Sequence, residues 1–277
     1  MAFRDILVPV ISIDSDQAAL ETAASLAAQF EARATAMVLA VHVSSEYAER
    51  AQPLSAVLED LLAGARSAAA QEHERLAAWL GAQQQEFDLR QLTIESAVDQ
   101  NRIAAHARMA DLIVATRAGT HARARQALIE DVLFRSGRPL LLTPEASRVR
   151  RFDTIVIGWN ASQEAVRAIA GAMPLLQAAT KVVVTTVDAT PSPGGHVERP
   201  GRELADHLKR HGVVADVRNV DGLGRSHAKA LEDDAIAIGA DLMVLGAYGH
   251  SRAREFVFGG VTRELLGHGR LPLLLSH

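Results

Sequence analysis

The residues best suited to chemistry lie together near the end of the chain. They run Gly246-Ala247-Tyr248-Gly249-His250-Ser251-Arg252-Ala253-Arg254-Glu255-Phe256-Val257-Phe258-Gly259-Gly260-Val261-Thr262. Four glycines bracket a basic stretch, and the last pair opens a helical pattern. Glycine lets backbone N–H groups turn toward an anion with no Cβ in the way. A helix start adds unsatisfied donors and the positive end of the helix dipole. Arg252 and Arg254 supply charge to such a site, or else form a solvated face. The pattern points to phosphate binding, and a di- or triphosphate suits it. Gly246 and Gly249 also have a plainer reading, in which they only turn the chain at the end of a strand.

Other chemistries find little support. The chain has no cysteine, which removes disulfides, thiolate metal sites and cysteine nucleophiles together. A dinucleotide-binding GxGxxG would follow the first strand of a unit, where this chain has Val10-Ile11-Ser12-Ile13-Asp14 and Gly158-Trp159-Asn160-Ala161-Ser162. No GxxxxGK[ST] loop and no G-x-S-x-G elbow occur. The eleven histidines are scattered, so metal ligation is not expected. Glu232, Asp233 and Asp234 read as an exposed helical face, and Asp14 and Asp16 as helix caps. Without paired carboxylates or a base beside the loop, no enzyme activity is expected beyond at most slow hydrolysis of a bound phosphate compound. A formal net charge of −4 gives no case for a general nucleic-acid binder.

The elements that must position the loop are written twice. Arg4-Asp5-Ile6-Leu7-Val8-Pro9-Val10 returns as Phe152-Asp153-Thr154-Ile155-Val156-Ile157-Gly158. Ala110-Asp111-Leu112-Ile113-Val114-Ala115 returns as Ala240-Asp241-Leu242-Met243-Val244-Leu245, and Arg138-Pro139-Leu140-Leu141-Leu142 as Leu271-Pro272-Leu273-Leu274-Leu275. Three matches in one order mark an internal repeat. The polar stretch Glu145 to Arg151 reads as a linker, giving domains at 1–144 and 152–277.

In the first copy the patterns predict strands at Ile6–Val10, Ala34–Val43, Phe87–Ile94, Leu112–Ala115 and Leu140–Leu142. Helices are predicted at Asp16–Phe30, with Asp14 or Ser15 as cap, Pro53–Leu80, Ile103–Met109 and Ala124–Phe134. In the second, strands fall near Thr154–Trp159, Lys181–Val187, Ala215–Asn219, Leu242–Leu245 and Leu273–Leu275. Helices fall near Gln163–Leu176, Arg202–His211, Ala228–Ile238 and Thr262–Leu266. Apolar strands alternating with helices specify an α/β fold. Each copy is read as a Rossmann-like domain, a five-stranded parallel sheet with helices on both faces. Ligands of such sheets sit outside the carboxyl ends of the strands, where the glycine loop lies. The short terminal strands Leu140–Leu142 and Leu273–Leu275 are edges that need a partner. They are expected to join the two copies as a pseudo-dimer, with a homodimer of chains as a further step.

The spacing of Gly246, Gly249 and Gly259, within GHSRAREFVFGGVTRELL, resembles the nucleotide motif of ATP-binding universal stress proteins. The resemblance covers both halves of the chain and is similar to tandem bacterial members. It implies a domain of the adenine nucleotide alpha hydrolase-like kind and a stress-response regulatory role. ATP, with or without Mg2+, is the implied ligand. It implies contacts from Gly158, Trp159, Asn160, Val187, Gly246, Gly249, His250, Arg252, Gly259, Gly260, Val261 and Thr262. In the family a small hydroxyl residue follows the third glycine. Here that place is Gly260, and Thr262 is the nearest hydroxyl. Asn160 stands where the family has an acidic residue, and an amide can still bond ribose or adenine.

In the first copy the equivalent loop runs Thr116-Arg117-Ala118-Gly119-Thr120-His121, reaching Gln126-Ala127 where the second has Gly259-Gly260. It keeps only Gly119, so this site is read as degenerate. An alternative function is a protein-interaction module of the same fold that binds no nucleotide. The N-terminus shows no signal peptide, and no apolar run approaches the roughly 20 residues of a membrane span. A cytoplasmic protein with no membrane or nucleic-acid partner is expected.

Overall fold

The computed structural model describes residues 2–41, 55–83, 86–94, 101–117, 122–147, 151–190, 201–248 and 260–277. Expectations resting on Val43, Pro53, the first-copy residues Ala118, Gly119, Thr120 and His121, and on Gly249, His250, Arg252, Arg254 and Gly259 lie outside these residues. The chain divides into two compact units, Phe3–Arg138 and Pro139–His277.

The first unit holds strands β1 (Asp5–Val10), β2 (Arg33–Val41), β3 (Asp88–Ile94) and β4 (Leu112–Thr116), in the order β3-β2-β1-β4, with helices α1 (Ile13–Phe30), α2 (Ser55–Ala82), α3 (Asn101–Ala107) and α4 (Ala122–Arg135). Every pairing is parallel. All five residues of β4 are buried, as a strand covered on both faces requires.

In the second unit β5 (Leu140–Thr143), β6 (Thr154–Gly158), β7 (Lys181–Val187), β8 (Ala215–Val220), β9 (Leu242–Gly246) and β10 (Leu273–Ser276) run in the order β5-β10-β9-β6-β7-β8. Five of these are mutually parallel, and β5 alone runs antiparallel to its neighbour β10. The helices are α5 (Gln163–Ala178), α6 (Arg202–Arg210), α7 (His227–Ala237) and α8 (Gly260–His268). α5 packs on β9 and β10, and α7 on β7 and β8.

The two short terminal strands pair with each other, Leu273 opposite Leu142, Leu274 opposite Leu141 and Leu275 opposite Leu140. All six leucines are 0% exposed. Each such burial contributes about 1.5–3 kcal/mol relative to exposure, which makes this ladder a substantial part of the core.

The repeated Ala-Asp dipeptide has a structural cause. Asp111 Oδ2 accepts the backbone N–H groups of Arg4 and Asp5 at 2.8 and 3.1 Å. Asp241 Oδ2 accepts those of Asp153 and Thr154 at 3.0 and 2.9 Å. In both copies the aspartate clamps the entry of the first strand to that of the fourth.

Two expectations need correction. α1 begins at Ile13 with Ser12 at its N-cap, ahead of Asp14 and Ser15. Asp16 Oδ2 accepts the N–H groups of Ile11 and Ser12 from inside the helix, so the turn is satisfied without an outer cap. The acidic run on α7 is not a uniformly exposed face. Glu232 and Asp234 are buried, with Glu232 accepting from the Arg270 backbone and Asp234 paired with Arg218 at 2.8 Å. Asp233 faces outward, where Lys229 first and Arg225 second hold its carboxyl below the usual range.

Candidate functional site

At the carboxyl end of the second sheet β6 lies between β7 and β9, the switch point of strand order. β6 ends in Gly158, and a Cβ there would meet Leu245 Cδ2 at 2.2 Å and Leu231 Cδ2 at 2.7 Å. β9 ends in Gly246, where a Cβ would lie 2.3 Å from the backbone nitrogen of Ala165 and 2.7 Å from the carbonyl carbon of Glu164. Gly246 therefore lets the first turn of α5 settle directly on the strand end. Its need for glycine is one of packing, whatever ligand the loop takes.

These strand ends open into a cavity of about 440 Å³. That is within the size range of small-molecule sites, roughly 300–1,000 Å³. Gly158, Trp159, Asn160, Thr185, Val187, Leu245, Gly246 and Tyr248 line it from the sheet side. Two helices complete the lining, α7 with its N-cap Ser226 and with His227, Ala228 and Leu231, and α8 with Gly260, Val261, Thr262 and Glu264. Two helix starts converging on one cavity bring two positive dipole ends and a set of free N–H donors, an arrangement that favours an anion.

Hydrogen bonds fix several of these groups. Trp159 N–H donates to the Thr185 carbonyl at 2.9 Å. Thr185 Oγ1 donates to Asp234 Oδ2 at 3.3 Å, so the buried acid orients a hydroxyl of the cavity wall. Asn160 Oδ1 accepts the N–H of Ser162 at 3.1 Å. This leaves the Asn160 amide NH2 as the group offered outward, a donor where an aspartate would offer an acceptor. Ser226 Oγ caps α7 by accepting the N–H of Lys229 at 3.1 Å, and donates to Glu264 Oε1 at 2.7 Å. His227 Nε2 lies 3.5 Å from Asp188 Oδ2.

Backbone strain gathers at the same end of the unit. Ala161, Asp188, Leu223 and Tyr248 have φ of 56°, 48°, 51° and 61°, and each follows a different strand, β6, β7, β8 and β9. A non-glycine residue in this region costs on the order of 1 kcal/mol or more, and such residues cluster at ligand sites. In the first unit the one such residue among those described is Glu31, at the end of α1.

The cavity thus brings together eight of the residues singled out in the sequence: Gly158, Trp159, Asn160, Val187, Gly246, Gly260, Val261 and Thr262. Ser226, His227, Tyr248 and Glu264 were missed. Ser226 carried a signal, since a serine just before the helical run His227–Ala237 is an N-cap pattern. His207 in α6 and His211 at its C-cap, four residues apart, meet with ring centroids 4.7 Å apart and planes tilted by 49°. No group of three or more metal-ligating side chains occurs among the described residues.

The first unit treats the equivalent place differently. Ile6 pairs with Leu112 as Ile155 pairs with Leu242, so Thr116 occupies the place of Gly246. Thr116 Oγ1 donates to the Ser15 carbonyl at 3.2 Å. Arg125 reaches in from α4 to Asp16 at 2.6 Å and to Ser15 Oγ at 2.5 Å. A buried guanidinium and carboxylate occupy the start of α1.

Residues 151–277 match the family model for the universal stress protein family. Among curated proteins none matches the chain. A universal stress protein from Archaeoglobus fulgidus DSM 4304 is 12% identical over 98% of this chain and 97% of that one, with a TM-score of 0.63. A functionally unknown protein from Pseudomonas aeruginosa PAO1 is 16% identical over 99% of this chain and 92% of that one, with a TM-score of 0.58. A universal stress protein in complex with cAMP is 22% identical over 46% of this chain and 97% of that one, with a TM-score of 0.37. The two full-length matches share the fold across both copies. No helix among the described residues is long and apolar enough to cross a membrane.

Proposed function

Starting from a universal stress protein domain at residues 151–277, we propose that the chain is a regulatory protein that takes an adenine nucleotide, ATP first, at the carboxyl end of the second sheet. The observation that carries this reading is the convergence of the α7 and α8 N-termini on one cavity beside the ends of β6, β7 and β9. The helix starts suit phosphates, and the apolar wall of Trp159, Val187 and Leu231 suits a base. The first unit is assigned no equivalent site, because Arg125 and Asp16 neutralise one another at the start of α1. We assign no catalytic residue, and the role is that of a ligand-responsive regulator in a stress response. A chain without cysteine suits a reducing compartment such as the cytoplasm.

The test is a thermal or chemical denaturation with and without ATP. Ligand at 100 times its dissociation constant stabilises the native state by about 2.7 kcal/mol. No shift at any concentration would favour the second reading, a protein-interaction module that has lost its ligand. That reading draws on Gly260, which offers no hydroxyl where the family has one, and on the carboxylate of Glu264 in the cavity wall.

A further inference from the structure

We infer that His207 and His211 form a two-imidazole site for a divalent transition ion, Zn2+ or Ni2+, at the C-terminal turn of α6. Neither residue lines the cavity described above, so the inference is independent of that cavity's ligand. It departs from the expectation, read from the scatter of the histidines, that no metal is ligated.

The pair is spaced His207-Leu208-Lys209-Arg210-His211. Residues four apart on a helix are neighbours on one face, whereas those two apart are not. The two imidazoles therefore meet across one turn, and Lys209 between them is directed elsewhere. Leu208 anchors the turn at 0% exposure, while both histidines are exposed. Glu203, one turn before His207, and Arg210, three residues after it, are the charged neighbours on that side of α6.

The geometry suits a chelate. Zinc holds imidazole nitrogen at about 2.0–2.1 Å, which sets two nitrogens on a tetrahedral ion about 3.4 Å apart. Ring centroids 4.7 Å apart are close enough to present nitrogens at that separation. The planes are tilted by 49°, so the in-plane lone pairs of the two rings can converge on one point, which parallel stacked rings do not allow. Neither ring makes a hydrogen bond or ion pair among the described residues, whereas His227 faces Asp188 and His277 faces the Ala247 carbonyl.

The backbone under the pair is fixed before any ion arrives. His211 N–H donates to the Leu208 carbonyl at 2.9 Å, and the His211 carbonyl accepts Gln177 Nε2 from α5 at 2.9 Å. Gly212 follows at φ 80° and turns the chain toward β8. Binding has only side-chain rotation left to order, which lowers its entropic cost. No third ligating side chain joins the pair among the described residues, so water completes the coordination. Imidazole suits zinc, nickel and copper, whereas Mg2+ takes oxygen donors, so the pair discriminates between these ions.

The experiment is calorimetric titration of the metal-free full chain with Zn2+, Ni2+ and Mg2+ in turn, at mildly alkaline pH because ligating imidazole must be neutral. His207→Ala and His211→Ala each remove one ligand. His106→Ala removes an exposed histidine of α3 that has no second histidine one turn away. We expect saturable binding of Zn2+ and Ni2+, weakened in each pair variant by at least the roughly tenfold that losing a supporting partner costs a metal site. His106→Ala should bind as the wild type does, and Mg2+ should give no heat. Paramagnetic broadening of the His207 and His211 ring signals by Ni2+ reads the same site in the wild type, without a substitution. No binding of Zn2+ or Ni2+ by the wild type, undiminished binding in either pair variant, or broadening that spares both rings would overturn the inference.

Discussion

The guanidinium of Arg125 lies 2.6 Å from the carboxylate of Asp16, and the two side chains are 3% and 0% exposed. The pair joins α4 to the first turn of α1. Asp16 also accepts the N–H groups of Ile11 and Ser12, so one carboxylate shapes the strand-to-helix turn and balances a buried cation. In the second unit Ser162 caps α5 directly, accepting the Ala165 N–H at 3.2 Å, and Gly246 lets that turn approach the strand. The repeat has two solutions to one junction. The first neutralises its own charges, and the second borders a cavity with free helix-start donors.

Removing one partner of a buried ion pair leaves the other uncompensated. Arg125→Ala is expected to destabilise the first unit by about 3–5 kcal/mol. Urea denaturation followed by circular dichroism reads this as a lowered midpoint. Affinity for ATP, if the site lies in the second unit, should be unchanged in the protein that remains folded. A loss below about 1 kcal/mol would mean that the pair is nearly dispensable.

Gly246 and Gly260 should respond oppositely to a side chain. Backbone atoms of Glu164 and Ala165 crowd a Cβ at Gly246, and neither can move without shifting α5. Gly246→Ala is expected to cost about 1–3 kcal/mol by overpacking. Among the described residues nothing lies within 4 Å of a Cβ at Gly260. Gly260→Ser should change stability by no more than about 0.5 kcal/mol. On the nucleotide reading it adds the missing hydroxyl and tightens ATP by up to about tenfold. Thermal melts of the two variants, compared side by side, check the contrast.

Asp131 gives a pH dependence of known sign. Its Oδ2 accepts the Ala104 N–H at 3.0 Å, and among the described residues its buried Oδ1 has no hydrogen-bond partner. Burial, opposed by the Ala104 hydrogen bond and by Arg135 and Arg108, raises its carboxyl above the ordinary value of 3.8. The native state thus binds this proton more tightly than the unfolded state does. Its contribution is full below the ordinary value and is lost as pH rises through the raised native value. Asp131→Asn keeps an acceptor for Ala104 and carries no charge. Its stability relative to wild type should therefore increase over the range in which pH rises past the ordinary value of 3.8 and through the raised native one. A difference that stays constant over that range would contradict the assignment.

Much of the architecture was legible because the apolar runs are short, repeated and separated by turn residues. Lys181–Val187 matches its expected bounds, and most other strands differ by a residue or two at an end. The terminal strands were singled out as edges in need of a partner, and each is the other's. The burial of Glu232 and Asp234 was not legible, because it depends on Arg270 and Arg218, which approach from distant points of the sequence. Composition alone shows a charged run and cannot show which of its members faces a cation. The α7 side of the cavity escaped notice for a related reason. Glycines announce a site through backbone geometry, whereas Ser226, His227 and Glu264 meet only after two separate helices have packed together.

The most direct test of the central claim is a calorimetric titration of the wild type and Gly260→Asp with ATP. The substitution sets a carboxylate at the first residue of α8, in space that no other described residue fills and in a place that favours an acid for helix stability. The variant should fold with an unchanged or higher melting temperature. The account predicts saturable binding near one site per chain for the wild type, with binding lost or weakened at least about tenfold in the variant. Undiminished binding by Gly260→Asp, or no heat from the wild type, would contradict it.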